Sequence, residues 1–266
     1  MARRCAEKCG LAWLPLLAFC LVATTFIISY TISQVKDIVV TALPFISDTG
    51  TISPASCWFG LFLNATAYMF LMVMVVRYLQ IREHLTHEQK KVKVINIISL
   101  VIGILAALGV SMVACFQETN VKSMHLIGAF MAFIGGIIYG YMHAYLTHKL
   151  IKESFFNHKW LMVIRIILAT IMLGVMVMMI IAMRHSGYKL PPYTPTNRPY
   201  EHKGWYFTAT SCEWTLGISF FFYVLSLSYE FATIKVLIVV KNVPNSYFVA
   251  NPEAGVKNSL VDERRH

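Results

Sequence analysis

The chain has 266 residues, 57% of them hydrophobic and 14% charged, with a formal net charge of +10. A soluble domain carries about 25% charged residues, so charge this sparse excludes a water-facing surface over most of the chain and points to a bilayer. The basic excess would raise nucleic-acid binding in a soluble protein, but here it falls between long apolar runs and reads as membrane topology, with no nucleic-acid partner expected.

The amino terminus (Arg3, Arg4, Lys8) precedes a first apolar run, Leu11–Ser33. This run is too long for the apolar core of a cleaved signal peptide and is read as a membrane helix. Cys5 and Cys9 lie just before it; they are read as free thiols, with palmitoylation as the alternative. The connection 34–56 contains Leu43-Pro44-Phe45-Ile46-Ser47-Asp48-Thr49-Gly50-Thr51. Ser47 and Asp48 can cap a local turn and Gly50 can take positive φ. A structured loop at the membrane surface is expected, with Ser47, Asp48, Thr49 and Gly50 as a candidate luminal surface.

The second run, Cys57–Val76, carries Asn64 about 10 Å below the non-cytosolic face. Its Asn64-Ala65-Thr66 sequon lies inside a predicted helix and is expected to be unused. The third run, Val94–Phe116, holds Ser99, Gly103, Ala107, Ser111 and Cys115 at four-residue spacing. The fourth, Ser123–Thr147, holds Gly128, Ala132, Gly136, Gly140 and Ala144 at the same spacing. Small residues let two membrane helices approach closely, and the short 117–122 link makes these two an antiparallel hairpin. The two ladders are therefore expected to face each other. Cys57 and Cys115 are expected as free thiols, with a disulfide as the alternative in an oxidising lumen.

The fifth run, Trp160–Met183, contains Arg165, close enough to the cytosolic end to snorkel to the interface. His143, His148 and His158 lie near that surface without metal-ligand spacing and are expected to be solvated. The 184–204 connection holds Pro191, Pro192, Pro195 and Pro199 and should be irregular. The sixth run, Trp205–Tyr229, carries Glu213 about 12 Å below the non-cytosolic face. A carboxylate at that depth normally has a partner or is protonated. Glu213, Asn64, Ser111 and His125 are expected to form one intramembrane polar layer. It is either a packing network or a functional floor for a proton or a lipid headgroup.

Residues 1–235 thus read as a single membrane domain of the all-α class, a six-transmembrane-helix bundle, followed by a polar, partly disordered cytosolic tail over 236–266. Sixteen basic residues flank the runs on one side and six on the other, which places both termini in the cytosol. There is no G-x-S-x-G, H-E-x-x-H or phosphate-cradling glycine loop, so no catalytic residue, metal or cofactor is assigned.

Five blocks occur in a distinctive order: Phe26-Ile27-Ile28-Ser29-Tyr30, the Leu43–Thr51 loop, Arg77-Tyr78, Phe116-Gln117-Glu118 and Cys212-Glu213-Trp214-Thr215. Together they resemble the damage-regulated autophagy modulator (DRAM) family, within a wider group of transmembrane-150 and GPI-anchor-remodelling relatives. The resemblance covers about residues 11 to 235. It implies a multipass protein of lysosomal or other endomembranes, with the plasma membrane as an alternative. Such a protein would modulate autophagy through membrane lipids or protein partners of the autophagy and lysosomal machinery. A lipid-handling protein is the alternative. A channel or proton-linked transporter ranks third, because the cytosolic halves of the later helices supply few polar residues for a continuous path.

Overall fold

A computed structural model describes residues 10–86, 88–152, 159–192 and 197–235. The amino-terminal cysteines, His158 and the tail predicted over 236–266 lie outside the described residues. Among the described residues there are seven α-helices and one 3₁₀ turn, and no strand. They are α1 (Trp13–Val35), the 3₁₀ turn (Ser47–Gly50), α2 (Ala55–Glu83), α3 (Lys90–Cys115), α4 (Lys122–Lys152), α5 (Lys159–Ser186), α6 (Lys203–Leu225) and α7 (Ser228–Phe231).

Five of these helices are long and apolar enough to cross a membrane: α1, α2, α3, α4 as far as Leu150, and α5. α6 is as long as α1, at 23 residues, but Thr208, Thr210, Ser211, Glu213, Thr215 and Ser219 lower its apolar content. Most of the helices overrun the predicted apolar runs. α2 continues through Arg77 and Arg82, and α3 begins at Lys90. The apolar run marks only the stretch matched to hydrocarbon, whereas backbone hydrogen bonding carries a helix on into its polar flanks. α6 differs in the other direction. It ends at Leu225 rather than at Tyr229, and a short turn then leads into α7.

Consecutive helices pack side by side, and α6 returns to α1, closing the bundle into a ring. The outward faces are apolar and exposed, with Ile27, Leu61, Tyr68 and Phe130 each more than 60% accessible. Buried positions include Asp48, Arg77, Glu118, Arg165 and Glu230. Apolar outside with polar groups inside inverts the arrangement of a water-soluble domain and suits a hydrocarbon solvent.

The α3–α4 hairpin is closely packed, with Gly128 and Ala132 of the α4 ladder in the contact, but the two ladders do not face each other along their length. A Cβ on Gly128 would sit 2.9 Å from the Gly109 carbonyl, and one on Gly109 would sit 2.6 Å from the Gly128 carbonyl. Ala132 also meets Gly109, and a Cβ on Gly135 would lie 3.1 Å from that of Ala106. Gly103 instead faces Met74 of α2 as well as Tyr139, Gly136 faces Phe220 of α6, and Gly140 faces Tyr223 and Ala169. Ala107 is buried in the main core, and Ser99 is buried with its hydroxyl on the Asn96 carbonyl at 2.8 Å. The reason is helical geometry. Residues four apart advance about 400°, so a ladder drifts about 40° per step and cannot hold one face over five steps.

Candidate functional site

The 39–51 connection folds into the bundle rather than lying on it. The chain reverses after α1 at Asp37, whose φ of 53° is in the left-handed region that Asp tolerates. From there, side chains of α1 and α6 satisfy the backbone of the loop. Gln34 Nε2 donates to the Thr41 carbonyl at 2.8 Å, Tyr30 to that of Ala42 at 2.8 Å, and Trp214 Nε1 to that of Pro44 at 2.9 Å. The Ile46 amide donates to Glu213 Oε2 at 2.5 Å. Ser33 donates to the Thr49 carbonyl at 2.8 Å, and the Ser29 and Thr49 hydroxyls lie 3.0 Å apart. A buried loop needs such an accounting, because unpaired backbone groups are costly.

The candidate luminal surface is therefore a plug. Asp48, Thr49 and Gly50 are buried and Ser47 is half-buried. The position of Gly50 leaves no room for a side chain, since an added Cβ would meet the Phe59 ring at 2.5 Å. Phe45 is wedged between Tyr188 and Tyr206, with ring centroids at 4.8 and 5.6 Å. Tyr188 donates to Asp48 Oδ1 at 2.5 Å and lies 3.4 Å from Glu118 Oε2. Three buried acids, Asp48, Glu118 and Glu213, thus gather at this end of the bundle.

The expected polar layer divides in two. Glu213 and His125 both line a cavity of about 90 Å³ beneath the plug. The His125 Nδ1 is 2.8 Å from the Phe116 carbonyl, which makes Nδ1 the protonated nitrogen. Asn64 and Ser111 form a separate pair between α2 and α3. The Ser111 hydroxyl donates to Asn64 Oδ1 at 2.6 Å, and Asn64 Nδ2 reaches the Gly60 carbonyl at 2.9 Å and Cys115 Sγ at 3.4 Å. This pair is half-buried. Cys57 and Cys115 are both free thiols.

A second polar cluster lies at the opposite end, where the sequence pointed to solvated residues. Arg77 and Arg165 are fully buried, and each places a guanidinium nitrogen 2.8 Å from Glu230 Oε2. Arg165 does not snorkel. Its Nε donates to the Ser226 hydroxyl at 2.9 Å and an Nη to the Ser226 carbonyl at 3.1 Å. Arg77 also donates to Gln80 Oε1 at 2.7 Å and to the Thr147 hydroxyl at 3.0 Å. The cluster ties α2, α4, α5 and the turn that follows α6 to α7. Burial pushes the Glu230 carboxyl up, but the two guanidinium groups outweigh it and hold the pKa below the ordinary range. His143 is also buried, its ring centroid 4.0 Å from that of Tyr139 and tilted by 31° to it, rather than solvated. Glu230 was not singled out in the sequence. The signal was two arginines at the same membrane face, Arg77 just past the second apolar run and Arg165 a short way into the fifth, with one acid just past the last apolar run.

The blocks that carry the family resemblance now have positions. Ser29 and Tyr30, the Leu43–Thr51 loop, and Glu213 with Trp214 are in mutual contact; Glu118 reaches Asp48 through Tyr188. Arg77 belongs to the cluster at the other end. Among the described residues no group of histidines, cysteines or acids could hold a metal ion.

Comparison with known proteins gives the following matches. The family described as Frag1/DRAM/Sfk1/Cwh43P N-terminal domain matches residues 10–234. The human DNA damage-regulated autophagy modulator protein 1 is 28% identical over 229 residues, covering 86% of this chain and 94% of the relative. The human DNA damage-regulated autophagy modulator protein 2 is 32% identical over 232 residues, covering 85% and 86%. Modulator of macroautophagy TMEM150B-B of Xenopus laevis is 45% identical over 105 residues, covering 40% of this chain and 43% of the relative. No solved structure matches.

Proposed function

The chain belongs to the Frag1/DRAM/Sfk1/Cwh43P family, and from that premise we propose that it is a multipass endomembrane or lysosomal protein that modulates autophagy. The observation that carries this reading is the near end-to-end match to relatives named autophagy modulators, including 94% of the human protein 1. Those names are of modulators rather than of enzymes, and we assign no catalytic residue. In this reading α6 is a sixth span. Its polar residues are tolerated because Glu213 and Trp214 turn inward onto the plug. Both termini lie in the cytosol, on the side with more basic residues.

The protein acts through protein partners or lipid organisation. The decisive experiment is autophagic flux in cells lacking the protein, rescued with wild type or with Glu213→Gln. A flux defect restored by wild type is expected; unchanged flux on deletion contradicts the reading.

One observation favours a second reading, lipid handling. The interior cavity is apolar along most of its wall and has Glu213 and His125 at its plug end. Lipid extracted from the purified protein should then be enriched in one class over the surrounding membrane, and an extract matching bulk lipid counts against it.

A further inference from the structure

The plug end of the bundle carries a second feature on its outer side, where the loop after α1 meets the start of α6. Val40, Thr41, Arg198, Tyr200 and Lys203 line an open pocket there, about 360 Å³ in volume. The lining holds two cations, two hydroxyl side chains and no carboxylate. Among the described residues neither Arg198 nor Lys203 makes an ion pair. Glu201, which lies between them in the chain, is 3.7 Å from Lys189 instead. Two cations and two hydroxyls with no acid among them suit a phosphate group.

An apolar groove continues from this pocket. It has a volume of about 290 Å³ and is lined by Phe26, Ile27 and Tyr30 of α1, Ala42 and Leu43 of the loop, and Trp214 of α6. The Tyr30 hydroxyl and Trp214 Nε1 donate to the Ala42 and Pro44 carbonyls, so both side chains offer the groove their rings. Ile27 is 66% exposed, so the groove opens on the outward, apolar side of the bundle. Two observations join the pocket to the groove. Thr41 lines the first and Ala42 the second, so the chain passes from one to the other in a single step. Lys203 and Trp214 share one face of α6: over eleven residues the helix turns about 1100°, which returns to within about 20° of the starting direction, and rises about 16 Å. Phe207 stands on that face between them, with the Lys203 ammonium 5.9 Å from its ring centroid.

The order is therefore cations at the end of the helix and apolar surface deeper along it. That is the order of a phospholipid standing in its leaflet, headgroup outward. A free phosphate would use only the pocket, and an uncharged lipid only the groove. A zwitterionic lipid would bring its own cation to a lining that holds two.

We propose that the seam between α1 and α6 binds an anionic phospholipid, with its phosphate between Arg198 and Lys203 and an acyl chain against Ile27, Tyr30 and Trp214. This rests on the reading of α6 as the sixth span. The site is separate from the cavity beneath the plug, and it is independent of the autophagy assignment.

The test uses the full-length protein in phosphatidylcholine nanodiscs doped with phosphatidic acid or phosphatidylcholine, each carrying the same mid-chain diazirine. Labelled peptides are mapped by mass spectrometry. The phosphatidic acid probe should label the peptides holding Ile27, Tyr30 or Trp214 about fivefold more than the phosphatidylcholine probe does. The double variant Arg198→Gln/Lys203→Gln changes two exposed positions and should erase that preference. Ala42→Trp fills the groove, leaves both cations in place and should cut phosphatidic acid labelling of these peptides about fivefold. Inorganic phosphate in excess over the probe should not compete. Equal labelling by the two probes, a preference that survives the double variant, or labelling that Ala42→Trp leaves unchanged overturns the site while leaving α6 against lipid. Displacement by inorganic phosphate makes the pocket a free-anion site and overturns the lipid. Absence of label from the Trp214 peptide with either probe overturns the sixth span together with the site.

Discussion

The Glu213 carboxylate, from the middle of α6, receives the amide of Ile46, from the loop after α1. This contact, between residues 167 apart in the chain, seats the 39–51 loop inside the bundle. Removing the acceptor leaves a buried amide unsatisfied, at a cost of about 1–3 kcal/mol. Glu213→Ala should therefore lower the thermal unfolding temperature of the purified protein, while Glu213→Gln, which keeps an oxygen acceptor, should lower it less. Tryptophan fluorescence on heating checks this order, with Trp214 as a nearby reporter.

The cluster at the other end predicts an asymmetry among its members. Glu230→Ala leaves Arg77 and Arg165 buried together without their shared carboxylate, and an uncompensated buried charge costs about 3–5 kcal/mol. Arg77→Met or Arg165→Met still leaves one guanidinium paired with Glu230. The expected result is poor recovery of folded Glu230→Ala on size exclusion and clearly better recovery of either arginine variant.

The same carboxylate sets a pH limit. Its pKa is lower folded than unfolded, so its contribution to stability is fully present above the unfolded value of about 4.3 and is lost as pH falls through the folded value. Unfolding temperature measured from pH 7 down to pH 3 should drop at the acid end for wild type. Glu230→Gln should start lower and lose less over that range.

Glycine positions separate packing from mere composition. Gly109 and Gly128 touch backbone across the α3–α4 contact, whereas Gly174 of α5 has nothing within 4 Å of an added Cβ. Gly109→Ala and Gly128→Ala should destabilise, and Gly174→Ala should be neutral or gain up to about 1 kcal/mol of helix propensity. Parallel thermal scans of the three variants check the contrast.

The helices were legible because the bilayer imposes a length of apolar sequence that few other structures need. The α3–α4 hairpin was legible from its short link, but its contact residues were not. Four-residue spacing suggested a straight ladder where the helix drifts; Gly128 and Ala132 of the α4 ladder do meet α3, but at Gly109, which is off the α3 spacing. Loop burial was hidden for a different reason. Ser47, Asp48 and Thr49 are polar residues that read as surface until Ser29, Ser33 and Tyr188 are known to meet their neighbourhood. The same logic hid Arg165 and His143. A lone polar residue near a membrane face is taken to reach water unless its partner is known, and the partner of Arg165, Glu230, lies past the last apolar run.

The measurement that bears most directly on the account is hydrogen–deuterium exchange over residues 43–51, in wild type and in Glu213→Ala. A plug held by Glu213, Ser33 and Trp214 predicts slow exchange of the Ile46 peptide in wild type, comparable to the helices, and marked acceleration in the variant. Wild-type exchange as fast as in an exposed loop would contradict it.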